Sequence, residues 1–308
     1  RKANNVWAYN KYYNPALPTI LLNSHHDTVK PNFGWSINPF TPVVENGKIY
    51  GLGSNDAGGA LVSLIATFIH FYDKMDLKYN LLIVATAEEE VSGINGLELV
   101  FPKFKGIDFA IIGEPTQMNL AVAEKGLMVL DCTAHGKSGH AAREEGDNAI
   151  NKSIQAIEWF HNYKFEKKSE FLGEVKMSVT QIKAGIQHNV IPDKCEFTVD
   201  VRVTDCYKNE EILQIIKQHV SCEVRARSTR LNASFIDTSH AIVKAGVELG
   251  RNMYGSPTTS DQALINVPSV KIGPGDSARS HTTDEFIYLE EIQEGINLYI
   301  QMLQRVMA

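Results

Sequence analysis

Three short apolar runs in this chain stop at residues that bind protons or cations. Residues 17–24 (LPTILLNS) lead into His25-His26-Asp27, residues 80–87 (NLLIVATA) into Glu88-Glu89-Glu90, and residues 108–113 (DFAIIG) into Glu114-Pro115. An unbroken apolar run of this length reads as a strand buried on both faces. Between the first two runs, residues 57–72 carry helical periodicity after a Gly-rich start. Strands alternating with helices predict an α/β sheet, and ligands of such sheets bind beyond the carboxyl ends of the strands. The placement of the imidazoles and carboxylates therefore matters as much as their identity.

The middle of the chain has another rhythm. Residues 127–134 and 194–203 alternate like strands with one solvated face, and 175–183 do the same. Residues 147–163 and 209–219 read as helices, and 222–227 as an edge strand. The order β-α-β-β-α-β is that of a ferredoxin-like unit. We expect it to span 120–228 as an insertion into a catalytic domain made of 1–119 and 229–308. After it, 238–253 reads as a helix, 268–272 as a strand and 289–305 as an amphipathic helix.

Bulk properties exclude some classes of function. The net charge of −6 argues against nucleic acid as a partner, because phosphate binding needs a basic surface. No apolar run reaches the roughly 18–20 residues that a membrane span needs. The four cysteines, Cys132, Cys195, Cys206 and Cys222, form no C-x-x-C pair. Scattered in this way they suit a reducing, cytoplasmic compartment better than a disulfide framework. The chain starts at Arg1 without an initiator Met, so an N-terminal piece is expected to precede it.

Five potential metal ligands follow strand ends or lie in loops: His25, Asp56, Glu90, Glu114 and His281. Imidazole nitrogen with carboxylate oxygen suits Zn²⁺, with Co²⁺ or Mn²⁺ as alternatives. One carboxylate shared by two ions would hold them about 3.5–4 Å apart, as in cocatalytic hydrolase sites. Asp27 stands two residues after His25, so along a strand the two face the same way and Asp27 can accept the second ring N–H. His26 should face away. Asp56 lies in Gly53-Ser54-Asn55-Asp56-Ala57-Gly58-Gly59, whose glycines allow a sharp turn. Glu88-Glu89-Glu90 is either a solvated acidic cap or a site that needs cations, and its position after a buried strand favours the second.

The strings SHHDTVKP, GLGSNDAGG, ATAEEEVSG, IIGEPT, HNVIP and SHTTDEF, in this order, resemble the signature blocks of one family. It is the acetylornithine deacetylase and succinyl-diaminopimelate desuccinylase family of dinuclear zinc hydrolases, within the aminoacylase and carboxypeptidase superfamily. The resemblance covers essentially the whole chain. It implies a zinc-peptidase-like mixed-sheet catalytic domain with an inserted ferredoxin-like α+β lid and dimerisation domain. It implies two Zn²⁺, one held by His25, Asp56 and Glu114, the other by Asp56, Glu90 and His281. Glu89 aligns with the general base, and Glu88 is the alternative if the register slips by one.

The same resemblance makes His140, in GKSGHA, the oxyanion donor. It makes Asn189 and Arg202 the holders of the substrate carboxylate and Gly275 a backbone lining of the pocket, with Ser260-Asp261 another pocket block. The implied reaction is hydrolysis of an N-acyl amino acid by a homodimer joined through the lid, with N-acetylornithine of arginine biosynthesis as leading substrate. N-acetylcitrulline, N-succinylornithine and succinyl-diaminopimelate are near neighbours. A metallo-carboxypeptidase or dipeptidase shares every ligand, and a non-catalytic metal-stabilised binding protein is the remaining alternative. Glu89 argues against the last, because a binding module has no use for a base.

Overall fold

A computed structural model describes residues 1–307. The principal strands, in chain order, are β1 (Val6–Tyr9), β2 (Thr19–His25), β3 (Asn80–Thr86), β4 (Ile107–Ile112), β5 (Leu120–Glu124), β6 (Gly126–His135), β7 (Lys176–Ala184), β8 (Lys194–Val203), β9 (Glu223–Ala226), β10 (Met253–Ser256) and β11 (Ser269–Lys271). The principal helices are α1 (Gly59–Phe71), α2 (Ala149–Asn162), α3 (Asn209–His219), α4 (Ala241–Glu248) and α5 (Leu289–Met307). The chain divides into two compact units. The first is Arg1–Ala123, Phe235–Gly255 and Ser260–Ala308; the second is Glu124–Ser234 and Ser256–Thr259.

The first unit is built on a mixed sheet in which β1, β3, β2, β4, β11 and β5 lie side by side. The strands β3, β2, β4 and β11 run parallel, while β1 and β5 run antiparallel at either side. The apolar runs are buried on both faces, as their composition requires: Ile20, Leu21, Leu22, Leu81, Leu82, Val84 and Ile111 are fully inaccessible. Burial of each such side chain contributes about 1.5–3 kcal/mol. Helix α1 turns Ala60, Ser63, Leu64, Thr67, Phe68 and Phe71 inward at helical spacing. The hydroxyls of Ser63 and Thr67 donate to carbonyls one turn back, so their burial leaves no polar group unmet. Helix α5 packs against α1 and α4.

Residues 238–253 do not form one helix. Helix α4 ends at Glu248, and Gly250, with φ of 80°, turns the chain into β10, which pairs with β5. A left-handed residue closes a helix, and glycine adopts that conformation without a Cβ penalty.

The second unit is an antiparallel sheet in the order β7-β8-β6-β9, with α2 and α3 packed on it. Its core gathers Met128, Leu130, Phe160, Phe197, Val199, Val201, Ile212 and Ile216. Every second residue of β6 and β8 is buried, which the alternating sequence anticipates. Asn148 caps α2 by accepting from the Ile150 N–H at 2.9 Å. All four cysteines are free thiols.

Candidate active site

Because β3, β2 and β4 are adjacent and parallel, their carboxyl ends deliver His25, the Glu88–Glu90 segment and Glu114 to one edge of the first unit. The Asp56 turn, which leads into α1, reaches the same place. His25 Nε2 lies 3.3 Å from Asp56 Oδ1 and 3.7 Å from Glu114 Oε1. His281 Nε2 lies 3.7 Å from Asp56 Oδ2 and 3.0 Å from Glu90 Oε2. Asp56 thus turns one carboxylate oxygen to each imidazole. The donor atoms of His25, Asp56 and Glu114 lie within 4.8 Å of one another, and so do those of Asp56, Glu90 and His281.

Backbone conformation aims several of these groups. His281 has φ of 59° and Glu88 φ of 63°, left-handed values that cost energy outside glycine and collect at functional sites. Gly275 has φ of 95°, and a Cβ there would stand 2.6 Å from Asn55 Oδ1. That oxygen accepts the Asp276 N–H, while Asn55 Nδ2 donates to the Asp276 carbonyl and Ser280 Oγ. Gly275 therefore lets the loop carrying His281 close on the turn carrying Asp56.

The Asp27 carboxylate does more than sequence alternation suggests, and in a different way. Strand β2 ends at His25, so the two-residue alternation stops there. The nearest group to His25 Nδ1 is the Asp27 backbone carbonyl at 3.0 Å, with the carboxylate at 3.6 Å. The Asp27 carboxylate instead accepts the N–H groups of Glu89 and Glu90 at 3.3 and 3.2 Å. His26 faces away, exposed, with Nε2 2.9 Å from the Asn4 carbonyl.

The three glutamates are used differently. Glu88 accepts from the backbone and side chain of Asn95, at 3.1 and 3.2 Å, and closes its own loop. Glu90 faces His281. Burial raises the pKa of Glu89 well above the usual glutamate range, and the Glu114 carboxylate raises it further, with His25 opposing and Asp261 and Glu90 adding to the rise. Burial also raises Glu90, with Asp56 adding and His281 opposing. Burial opposes charge on His25, yet the carboxylates of Asp27, Asp56 and Glu114 beside it outweigh burial and raise its pKa well above the ordinary imidazole range. For Asp56, burial is likewise outweighed by His25, Ser280 and His281, so its carboxyl stays below the ordinary range. Crowded carboxylates with displaced pKa values are what a cation would relieve, so the donor set fits divalent metal.

Two buried carboxylates stand at this edge besides the candidate ligands: Glu285, to which sequence reasoning gave no role, and Asp261, which it named only as part of a pocket block. Glu285, only 2% exposed, accepts backbone N–H groups from Gly53, Asn55 and Asp56. Asp261 Oδ2 accepts from the Thr86 hydroxyl at 2.7 Å, at the end of β3. Both stand in strings already singled out, SHTTDEF and Ser260-Asp261, but an acidic residue in a loop gives no signal of burial.

His140, Asn189 and Arg202 belong to the second unit. His140 pairs with Val190 across a two-stranded ribbon, the Ala141 N–H donates to the Asn189 carbonyl, and Asn189 Oδ1 is buried without a hydrogen-bond partner. Asp200 aligns the Arg202 guanidinium with contacts at 2.8 and 3.1 Å.

The sequence profile of peptidase family M20/M25/M40 matches residues 21–305. The chain belongs to that family. It is 27% identical over 300 residues to a [LysW]-lysine/[LysW]-ornithine hydrolase of Saccharolobus solfataricus, covering 93% of this chain and 81% of that protein. It is 25% identical over 334 residues to the succinyl-diaminopimelate desuccinylase of Orientia tsutsugamushi, covering 98% and 84%. It is 28% identical over 308 residues to the acetylornithine deacetylase of Proteus mirabilis, covering 92% and 79%. Among solved structures, an M20 metallo-carboxypeptidase from Sulfolobus solfataricus matches with a TM-score of 0.73 at 18% identity, covering 98% of this chain and 87% of that one. A dinuclear metal-binding M20 peptidase from Bacillus subtilis matches with a TM-score of 0.68 at 17% identity, covering 98% and 85%. This M20 chain is an amidohydrolase of a metallohydrolase family. Among the described residues, no helix is long and apolar enough to cross a membrane.

Proposed function

We propose that this chain removes the acyl group from the α-nitrogen of a small amino acid, with N-acetylornithine the first substrate to test. One observation carries the reading: Asp56 presents its two oxygens separately to His25 and His281 while Glu114 and Glu90 flank them. That is the donor set of a two-metal site bridged by one carboxylate. His25, Asp56 and Glu114 would hold one Zn²⁺, and Asp56, Glu90 and His281 the other.

Bound metal would supply Lewis acidity and a hydroxide equivalent near neutral pH. Glu89 takes a proton from the attacking water and returns it to the leaving nitrogen. A carboxylate base in this position adds about 10²–10⁴-fold to the rate. Glu88 is spent on Asn95, which supports Glu89 as the base. Asp27 holds the Glu89–Glu90 backbone in place. His140 is the donor to the developing oxyanion, Asn189 and Arg202 hold the substrate carboxylate, and Gly275 lines the pocket. Arg202 suits that task because its fork donates to a carboxylate bidentately, and Asp200 already orients it.

The second unit serves in this reading as lid and homodimer interface. A cytoplasmic place in arginine biosynthesis completes it, supported by four free cysteines and the acetylornithine deacetylase relative. The test is turnover of the Zn²⁺-loaded chain on N-acetylornithine, N-acetylcitrulline, N-succinylornithine, succinyl-diaminopimelate and unblocked dipeptides. Highest kcat/KM on N-acetylornithine supports the proposal. Preference for the dipeptides would move the chain to the peptidases of its family.

A further inference from the structure

Glu285 lies one residue before the strand Phe286–Tyr288, whose Phe286 pairs with Tyr50. That pairing delivers its side chain beneath the turn 51–56. Oε1 accepts the N–H groups of Asn55 and Asp56 at 2.8 and 2.9 Å, and Oε2 accepts that of Gly53 at 3.0 Å. Its own carbonyl accepts the Gly51 N–H at 3.0 Å. Backbone and side chain of one residue therefore organise the whole turn. Glu285 is not a member of either metal-ligand cluster. No Lys or Arg offsets it in these contacts; backbone donors alone meet a carboxylate that is 2% exposed.

Burying a carboxylate without a counter-cation is costly unless hydrogen bonds replace its water. A residue used only for packing would carry no such cost. The donors it collects belong to the residue that splits its oxygens between two imidazoles and to that residue's neighbours. Among neutral replacements, Gln offers a single carbonyl oxygen, and its amide would face an N–H on the other side. Only a carboxylate satisfies donors at both ends at once.

We infer that Glu285 is a positioning residue: its buried carboxylate draws the amides of Gly53, Asn55 and Asp56 together and so holds Asp56 where its two oxygens serve two metal ions. The inference rests on the bridging role proposed for Asp56. Partners that orient a ligand typically change metal affinity by about 10–100-fold when removed.

The experiment compares Glu285→Gln, Glu285→Asp and, as a control, Asp284→Asn. Asp284 is a neighbouring carboxylate that accepts the Ser36 N–H and hydroxyl at 2.9 and 2.8 Å and is in neither metal-ligand cluster. Zn²⁺ affinity is read by competition with a chromophoric chelator, and amide hydrogen exchange is followed at Gly53, Asn55 and Asp56 in the metal-free chain. Glu285→Gln should accelerate exchange at those amides and weaken Zn²⁺ binding by about 10–100-fold. Glu285→Asp should recover part of both, and Asp284→Asn should leave both near wild type. Unchanged exchange in Glu285→Gln overturns the clamp. Accelerated exchange with unchanged Zn²⁺ affinity overturns its link to the metals. A wild-type chain that binds fewer than two ions overturns the bridging role of Asp56, while the exchange measurement still decides the clamp.

Discussion

His281 Nε2 and Glu90 Oε2 stand 3.0 Å apart although 191 residues separate them in the chain. The pair closes one side of the cluster from a half-exposed imidazole and a carboxylate that is 7% exposed. Replacing either residue by Ala should lower the bound metal from two ions per chain toward one, read by elemental analysis of the dialysed protein. Two tightly held ions in both variants would remove this pair from the metal site.

Glu89→Gln keeps the volume and removes the base. We expect kcat to fall by about 10²–10⁴-fold with metal content unchanged. Glu88→Gln should leave kcat within a few-fold, because Glu88 binds its own loop at Asn95. If Glu88→Gln is the variant that loses turnover, the roles of the two glutamates are reversed.

Asp27 joins the end of β2 to the segment after β3 by accepting the Glu89 and Glu90 N–H groups. Asp27→Ala should cost about 10–100-fold in activity or metal affinity. Asn retains an acceptor oxygen and should cost less. Equal losses in the two variants would point to the charge of Asp27 rather than to its hydrogen bonds.

Metal removal should make stability fall with rising pH. Burial, with neighbouring carboxylates, raises Glu89 and Glu90 above the ordinary value of 4.5, so the folded chain keeps protons that the unfolded chain has released. Their contribution is complete below that value and is lost as pH climbs through the folded pKa values. His25 acts in the same direction above 6.5, because its carboxylate partners outweigh its burial. Asp27 and Asp56, held low despite burial, are unaffected until pH falls below 3.8. Metal binding displaces these protons, so its stabilisation grows with pH. The difference in Tm between Zn²⁺-loaded and chelator-treated chain should therefore widen from about pH 5 to about pH 8. A gap that narrows over that range would contradict the assignment of these groups to a cation site.

Much of the fold was legible because burial leaves a compositional mark. The runs at β2, β3 and β4 have unbroken apolar centres since both faces are covered there, whereas β6 and β8 alternate since one face is solvated. Helix α3 spans Asn209–His219, the segment that its periodicity marks out. The helix expected over 238–253 overran α4, because periodicity does not weigh a single left-handed Gly250.

The candidate ligands were legible as residue types at strand ends, helped by the resemblance of their surrounding strings to one family. The sequence by itself determined which elements form and which side chains stand at their carboxyl ends, because these follow from local hydrophobic patterning. Only the tertiary structure decided that β3, β2 and β4 lie side by side in parallel, that Asp56 meets both His25 and His281, and that Glu285 and Asp27 spend their carboxylates on backbone amides. Those outcomes depend on strand order and on which donors remain unmet after the chain has packed. Neither quantity is a property of any local stretch of residues.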